Sequence, residues 1–494
     1  MTSRSRHLAW RRNWWLIAAL SSFTAGMLVL MGTEKVVPYT TSKSLAAQTK
    51  VDGAAKAKTI TAARGLPGKN INNTVDAFDH SIVHRVSISM STTAYDAMIL
   101  DYQVDGVKTW HVATVVIDGV RIKNVGVRLK GNSTLIGLRN SGPNPAGGIA
   151  ASLGTLSPDE PQKMPFLLRF DEFVAGQRYQ GVNELALRTS GGFGGDASQL
   201  TEYVANVLTE ETGQPFLRTT TTGMTFNGSP EGFYLLVEHP DDYWARRMIP
   251  GTQPAVYKAI VGASFHYVGA EPALYVNVFN QQAETLDLGP GPMIEFLRFV
   301  EESTDREFEA HLADRLDVEQ FARYLAFHNI LVDPDSLAGT GNNYYLLYDP
   351  KLRRMTFAAW DQNLAFGRLG FGGGPYRPYY EDGSGLGSLA GNIPGLEELI
   401  PGSALGEPNI LVTRFLASPK FRAVYNEAYR ELFKSMLKAG RATALLDELG
   451  TVIRKANEER NLVDPARFES DLERNHSFIA DRVEYLLTLP PVGG

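Results

Sequence analysis

Between Ala326 and Gly367 the chain packs a helix, an acidic turn and a β-hairpin into one run, AFHNILVDPDSLAGTGNNYYLLYDPKLRRMTFAAWDQNLAFG. Val318 to Leu331 carries Phe321, Tyr324, Leu325, Phe327 and Leu331 near helical spacing, which predicts a helix with one apolar face. Asp333-Pro334-Asp335-Ser336 then predicts a turn, closed by a glycine-rich bend and the pair Asn342-Asn343. Tyr344–Tyr348 and Met355–Trp360 read as strands joined at Asp349-Pro350-Lys351. The second strand delivers Asp361, and Asn363 follows two residues later. Helix, acidic loop and hairpin thus place a carboxylate at each of two loop mouths.

Asp335 and Asp361 are hard oxygen donors, and an Asn amide oxygen lies between them in sequence. Such a set suits Mg²⁺ or Mn²⁺ better than a thiolate or imidazole metal, and Mg²⁺ commonly completes its shell with phosphate oxygens. A protein kinase has a comparable order: catalytic Asp, metal-binding Asn, hairpin, second metal-binding Asp. The spacing differs, since seven residues separate Asp335 from Asn343 and the chain has neither HRD nor DFG. Asp335, Asn342 and Asp349 are also ordinary turn formers, because Asp and Asn bond their own backbone.

The stretch resembles the CotH (spore-coat protein H) kinase family. The resemblance rests on Asp335-Ser336, on Asn343-Tyr344-Tyr345-Leu346 and on Trp360-Asp361-Gln362-Asn363. Further similar segments follow in the family's order: VGVRLKGNST at Val125–Thr134, KMPFLLRFDEF at Lys163–Phe173, EGFYLLVEHPDDY at Glu231–Tyr243, VYK at Val256–Lys258, and NILVTRFLASPKFRAVYNEAYRELF at Asn409–Phe433. It extends roughly from Ile82 to Leu486. It implies an atypical, two-lobed protein kinase-like fold that uses ATP and Mg²⁺ or Mn²⁺ to phosphorylate Ser or Thr of exported or cell-envelope proteins.

The resemblance implies Asp335 as the catalytic residue, with Asp333 a competitor two residues away. It implies Asn343 and Asp361 as metal ligands, Asn342 taking Asn343's part if the register slips by one. Asn363 stands where the family has a second Asp, so a metal here meets less negative charge. Lys130 ends a strand candidate before Gly131-Asn132, where free backbone N–H groups suit an anion. Lys163 and Arg169 flank the next strand, Arg169 at a position where the family often has Lys. Glu202, on a helix expected at Ser198–Glu211, is the candidate partner of Arg169, as a kinase helix Glu pairs its Lys. Glu238-His239-Pro240 falls at the expected lobe junction, where a kinase hinge holds adenine.

The expected fold is therefore α+β. A small lobe (about 76–240) has an antiparallel sheet plus one helix; a mainly helical large lobe follows (about 241–490). Asp118-Gly119 marks a hairpin between strands Trp110–Ile117 and Arg121–Leu129, and Phe166–Phe170 follows. Ile82–Ile88 reads as an edge strand, Ile136–Gln162 as a surface loop, and Gly367–Gly391 as a lid beside the site.

Arg4, Arg6, Arg11 and Arg12 precede an apolar run from Trp14 to Gly32, nineteen residues, the length of a bilayer span. Residues 1–32 are expected to be a retained single-pass anchor with the body extracytoplasmic, and 33–75 a flexible linker. The net charge of −6 gives no sign of nucleic-acid binding, and the absence of Cys excludes disulfides, zinc–thiolate sites and Cys nucleophiles. HExxH, GxSxG and GxxxxGK[ST] are all absent. The alternative to a kinase is a weak or inactive member acting as a surface-binding or envelope-structural protein.

Overall fold

A computed structural model describes residues 69–131, 133–138, 156–189, 196, 198–260, 265–276, 278–282, 285–339, 341–368, 374–378 and 409–492. The sequence expectation of a membrane anchor is not met: no helix among the described residues is long and apolar enough to cross a membrane. The stretch on which it rested, 14–32, lies outside the described residues, as do most of the expected linker, residues 139–155 of the surface loop and 379–391 of the lid.

The first half of the chain forms β1 (Asn70–Ile71), β2 (His84–Ser89), helix α1 (Thr92–Asp105), β3 (His111–Ile117), β4 (Val120–Leu129), β5 (Phe166–Arg169), β6 (Arg178–Tyr179), β7 (Glu184–Thr189), helix α2 (Leu200–Glu211), β8 (Thr219–Phe226) and β9 (Gly232–Glu238). The region expected to form a small lobe with an antiparallel sheet is not an open sheet. Its strands close into a barrel in the order β2-β3-β4-β5-β7-β9-β8. The strand read as an edge, β2, instead closes that barrel, pairing antiparallel with β3 and parallel with β8. Asp118 and Gly119, both at positive φ, form the tight β3–β4 turn, as expected from the dipeptide.

Strand alternation builds the barrel interior. Val125, Val127 and Leu129 of β4, Phe166 and Leu168 of β5, Leu185 and Leu187 of β7, and Tyr234 and Leu236 of β9 share one buried cluster. Leu167, Ala186, Leu235 and Val237, on the opposite faces, join a second cluster with Leu200, Val204 and Leu208 of α2. β7, a strand the sequence reading misses, alternates over only six residues, ELALRT, and Glu, Leu, Ala and Arg are all good helix formers, so nothing in it marks a strand.

The second half runs α3 (Asp242–Met248), β10 (Ala255–Ala259), β11 (Phe279–Gln281), α4 (Gly291–Glu302), α5 (Asp305–His311), α6 (Val318–Ile330), β12 (Tyr344–Asp349), β13 (Arg354–Ala359), α7 (Ile410–Ala417), α8 (Pro419–Leu432), α9 (Arg441–Arg460) and α10 (Pro465–Leu487). A four-stranded antiparallel sheet, β11-β10-β12-β13, is embedded among these helices. The expected helix and hairpin are α6, β12 and β13. Asp317 caps α6 by accepting the Gln320 N–H, and Phe321 packs on Phe357 of β13 with ring centroids 4.8 Å apart. The fold is mixed α+β, and the outer face of the barrel and the hairpin share one continuous core.

Candidate active site

Three segments meet at the hairpin mouth. Trp360 donates its N–H to the Asn343 carbonyl at 3.1 Å, so the end of β13 sits beside the start of β12. Asn343 and Asp361 both adopt left-handed backbone, φ 54° and 55°. Asn and Asp tolerate that region better than other L residues, which lets the chain turn sharply without glycine. Asn343 Nδ2 donates to Asp335 Oδ2 at 2.7 Å and approaches the Asp361 carbonyl at 3.5 Å. Asp335, Asn343 and Asp361 are thus brought together from the acidic loop and the two ends of the hairpin.

The geometry separates Asp335 from its competitor. Asp333 is buried; its carboxylate is held by His328 Nδ1 at 3.0 Å and accepts the Asp335 N–H at 3.1 Å. Asp333 braces the turn, and Asp335 is the less buried of the two. Gly339 closes the same loop. A Cβ there would stand 1.9 Å from the Pro334 carbonyl oxygen. Gly339→Ala is therefore expected to push Pro334 and Asp335 out of place. It should cost about 1–3 kcal/mol of stability, as overpacking does, which chemical denaturation checks.

The other wall is the barrel. Arg128, Lys130, Arg169, Glu184 and Arg188 alternate with the interior residues of β4, β5 and β7 and so share its outer face. Arg188 Nε contacts Glu202 Oε1 of α2 at 2.8 Å, and its Nη2 donates to Asp361 Oδ1. One guanidinium therefore ties helix, barrel and hairpin. The Lys130 ammonium lies 4.7 Å from the Trp360 ring centroid, the Arg188 guanidinium 5.3 Å and the Lys258 ammonium 5.8 Å. Burial lowers Lys130 well below the usual lysine range, and neighbouring Lys258, Arg128 and Arg188 push the same way. Burial lowers Lys258 too, against the pull of Asp361. Cations crowded and desolvated in this way favour an anionic ligand.

Burial opposes the charge on Arg188, but Asp361 and Glu202 outweigh it and raise the group. Glu202 is pushed up to about 7 by burial and by Asp361, with Arg188 opposing. The native state therefore holds a proton here that the unfolded chain releases near pH 4.5. Stability should fall as pH rises from about 4.5 to about 7, by up to roughly 1.4 kcal/mol per pH unit. Glu202→Gln should flatten that slope in denaturant unfolding measured across the interval.

The pairing expected for Glu202 is corrected: its partner is Arg188, and Arg169 is engaged elsewhere. Arg169 reaches Asp171 at 3.1 Å, Glu184 at 3.5 Å and Glu172 at 3.6 Å. In register, Arg169 pairs across the ladder with Glu184, two residues before Ala186 and four before Arg188, so it sits farther along the face. Lys163 is half-exposed and bonds Glu160 at 2.6 Å on a surface turn. The Glu238 carboxylate is buried and held by Arg218 at 3.0 Å and by Arg247. Its N–H donates to the Arg218 carbonyl at 2.9 Å and that of His239 to the Glu184 carbonyl at 3.2 Å, while Pro240 has none. This junction therefore offers no free main-chain donor at 238–240. Asn363 lies in the short turn directly after Asp361.

Sequence reading alone misses Arg188 and gives no role to Lys258 or Gln362, although both fall in segments of the resemblance. Gln362 is buried and donates to Asn206 at 2.9 Å and Thr209 at 3.1 Å, which locks the Asp361 turn to α2. Lys258 stands opposite Tyr345 in the β10–β12 ladder. Its place in a strand beside the hairpin is the signal that could have found it.

Among the described residues, no group of three or more His, Cys, Asp or Glu side chains is placed to hold a metal ion. The oxygen donors at the mouth are the Asp361 carboxylate, one oxygen of which accepts from Arg188, and the Asn343 amide, whose Nδ2 is turned to Asp335. Their chemistry fits a hard divalent ion that would draw its remaining ligands from phosphates and water. A comparison with curated proteins finds no match to this chain. A family model described as CotH kinase protein matches residues 127–486, most of the chain. The chain belongs to the CotH kinase family.

Proposed function

We propose that this protein is a metal-dependent protein kinase that transfers the terminal phosphoryl group of ATP to a Ser or Thr hydroxyl of a protein acceptor. One observation carries the reading: Arg188 joins Glu202 of α2 to Asp361 at the hairpin mouth, with Asp335 one Asn side chain away. This matches in kind the cation–Glu pair, metal-binding Asp and catalytic Asp of a two-lobed kinase.

In this reading Lys130, Arg188 and Lys258 face the phosphates and balance their charge. Asp361 and Asn343 hold Mg²⁺ or Mn²⁺, which when bound neutralises charge on the phosphate oxygens. Asp335 orients the acceptor hydroxyl and takes its proton as the new O–P bond forms. The bond between the terminal phosphorus and its bridging oxygen breaks, and ADP leaves. Trp360 supplies an apolar, polarisable floor on which the cations rest.

A second reading, a weak or inactive binding protein, draws support from the Arg188–Asp361 ion pair and from the neutral Asn363, both of which reduce the charge a metal would meet. The two readings part in one experiment. The protein is incubated with γ-labelled ATP, Mg²⁺ or Mn²⁺ and a Ser/Thr-rich peptide mixture, and its thermal unfolding is followed with the same ligands. A kinase gains about 2.7 kcal/mol at ligand one hundred times its dissociation constant and transfers label. No stabilisation and no label with either metal would sink the kinase reading.

A further inference from the structure

Arg482, on the last helix, is fully buried, yet the oxygens it meets belong to carbonyl and hydroxyl groups. Its Nε donates to the Ile330 carbonyl at 3.1 Å. Nη2 donates to the Asn329 carbonyl at 2.9 Å, to Asn329 Oδ1 at 3.2 Å and to the Tyr429 hydroxyl at 3.3 Å. Nη1 donates to the Pro375 carbonyl at 3.0 Å and to the Arg377 carbonyl. All three nitrogens of the fork are engaged. Such a buried cation is tolerable because the carbonyls at a helix C-terminus carry partial negative charge and lack intrahelical partners.

The carbonyls of 329 and 330 are the last of α6, directly ahead of the acidic loop. That loop begins with backbone strain. Val332, a β-branched residue, has φ 51°, a region such residues rarely occupy. Strain of this kind persists only where the surroundings fix the chain from several sides. One side is the segment after Asp361: the Phe366 N–H donates to the Leu331 carbonyl at 2.6 Å and that of Gly367 to the Val332 carbonyl at 3.2 Å. Arg482 supplies the other. Asn329 strengthens it, accepting from the Tyr429 hydroxyl at 2.9 Å and donating to the Pro378 carbonyl at 3.0 Å.

We propose that Arg482 is a positioning residue for phosphoryl transfer: its fork clamps the end of α6 to the 374–378 segment and thereby holds the strained loop with Asp335 in register with the hairpin. The inference rests on the kinase reading for its rate effect, though not for its structural one. A lysine cannot reproduce the clamp, because a single ammonium cannot span both sides of the fork.

The test compares wild type, Arg482→Lys, Arg482→Met and the milder Tyr429→Phe. Amide hydrogen exchange, kcat and the KM for ATP are measured on each. Both Arg482 variants should exchange faster at 329–338 and 374–378 while β7 stays protected. Their kcat should fall by about 10–100-fold, the cost of a displacement on the order of 1 Å, with KM for ATP unchanged within about twofold. Should the Arg482 variants not fold, Tyr429→Phe should show the same local exchange pattern and a several-fold lower kcat. Exchange rising evenly across the protein, or a kcat that only follows the folded fraction, would overturn the proposal. A Tyr429→Phe protein unchanged in both exchange and kcat would do so too. If wild type transfers no phosphate, the kinase reading fails and the clamp's catalytic role fails with it; local exchange then still decides whether Arg482 holds the loop.

Discussion

Asp361→Ala should abolish labelled phosphate transfer, lowering it by at least about 10²–10³-fold, the usual cost of removing one preorganised electrostatic group from a reaction centre. The substitution does two things at once. It removes the carboxylate proposed to hold the metal, and it frees Arg188, which then bonds Glu202 alone. Asp361→Asn separates these effects, since the amide keeps the left-handed turn that Asp and Asn favour and still accepts from Arg188. The expected order of transfer is wild type, then Asp361→Asn, then Asp361→Ala, with excess Mn²⁺ recovering part of the Asn variant only. Asp335→Ala should also stop transfer while leaving nucleotide-dependent stabilisation intact, because the proposed mechanism gives Asp335 the acceptor hydroxyl and not the metal or the phosphates. Equal transfer by wild type and Asp361→Ala would remove the metal role assigned to this residue.

The parts of this site that could be read in sequence are those set by local chemistry. Asp335, Asn343 and Asp361 sit at turns, and turn residues announce themselves through Pro, Gly and Asn around them. The helix and hairpin that carry them show their periodicities openly. The missed parts are those created by closure. β2 looks like an edge strand because nothing local says that β8, more than a hundred residues later, will run parallel beside it. β7 alternates over only six residues, and Glu, Leu, Ala and Arg are good helix formers that do not announce a strand. Arg188, carried on β7, is therefore not visible in the sequence, which offers Glu202 a cation on a recognisable strand instead, Arg169. The register explains the error: both arginines lie on the same barrel face, but only Arg188 stands where α2 and the hairpin mouth converge. Glu238 shows the opposite case, a residue that resembles a ligand-binding position in sequence and proves to be satisfied by Arg218 and Arg247.

Arg188→Met should have the largest effect on binding, and in two opposite directions. Glu202 is nearly buried, with 5% of its side chain exposed, so removing its cation leaves a carboxylate that must lie unpaired or take up a proton. Above pH about 7, where Glu202 is ionised, breaking this buried pair from one side costs up to about 3–5 kcal/mol, and thermal unfolding of the empty protein at such pH should register that loss. Free Mn²⁺ should nonetheless bind more tightly, because Asp361 is released from the guanidinium and the local charge becomes more negative. In wild type, by contrast, a metal held as proposed would compete with Arg188 for Asp361, and phosphates that took the guanidinium would end the competition. Metal and nucleotide should therefore bind cooperatively in wild type: calorimetric titration with Mn²⁺ should show weak binding alone and at least about tenfold tighter binding with a non-hydrolysable ATP analogue, a coupling of about 1.4 kcal/mol. The same titration on Arg188→Met should show the coupling reduced or gone, since nothing remains to be displaced. Arg188→Lys should fall between, keeping the charge but losing the fork that reaches Glu202 and Asp361 together. Identical Mn²⁺ affinity in wild type and Arg188→Met, with or without nucleotide, would mean that the ion pair across the hairpin mouth does not gate the site.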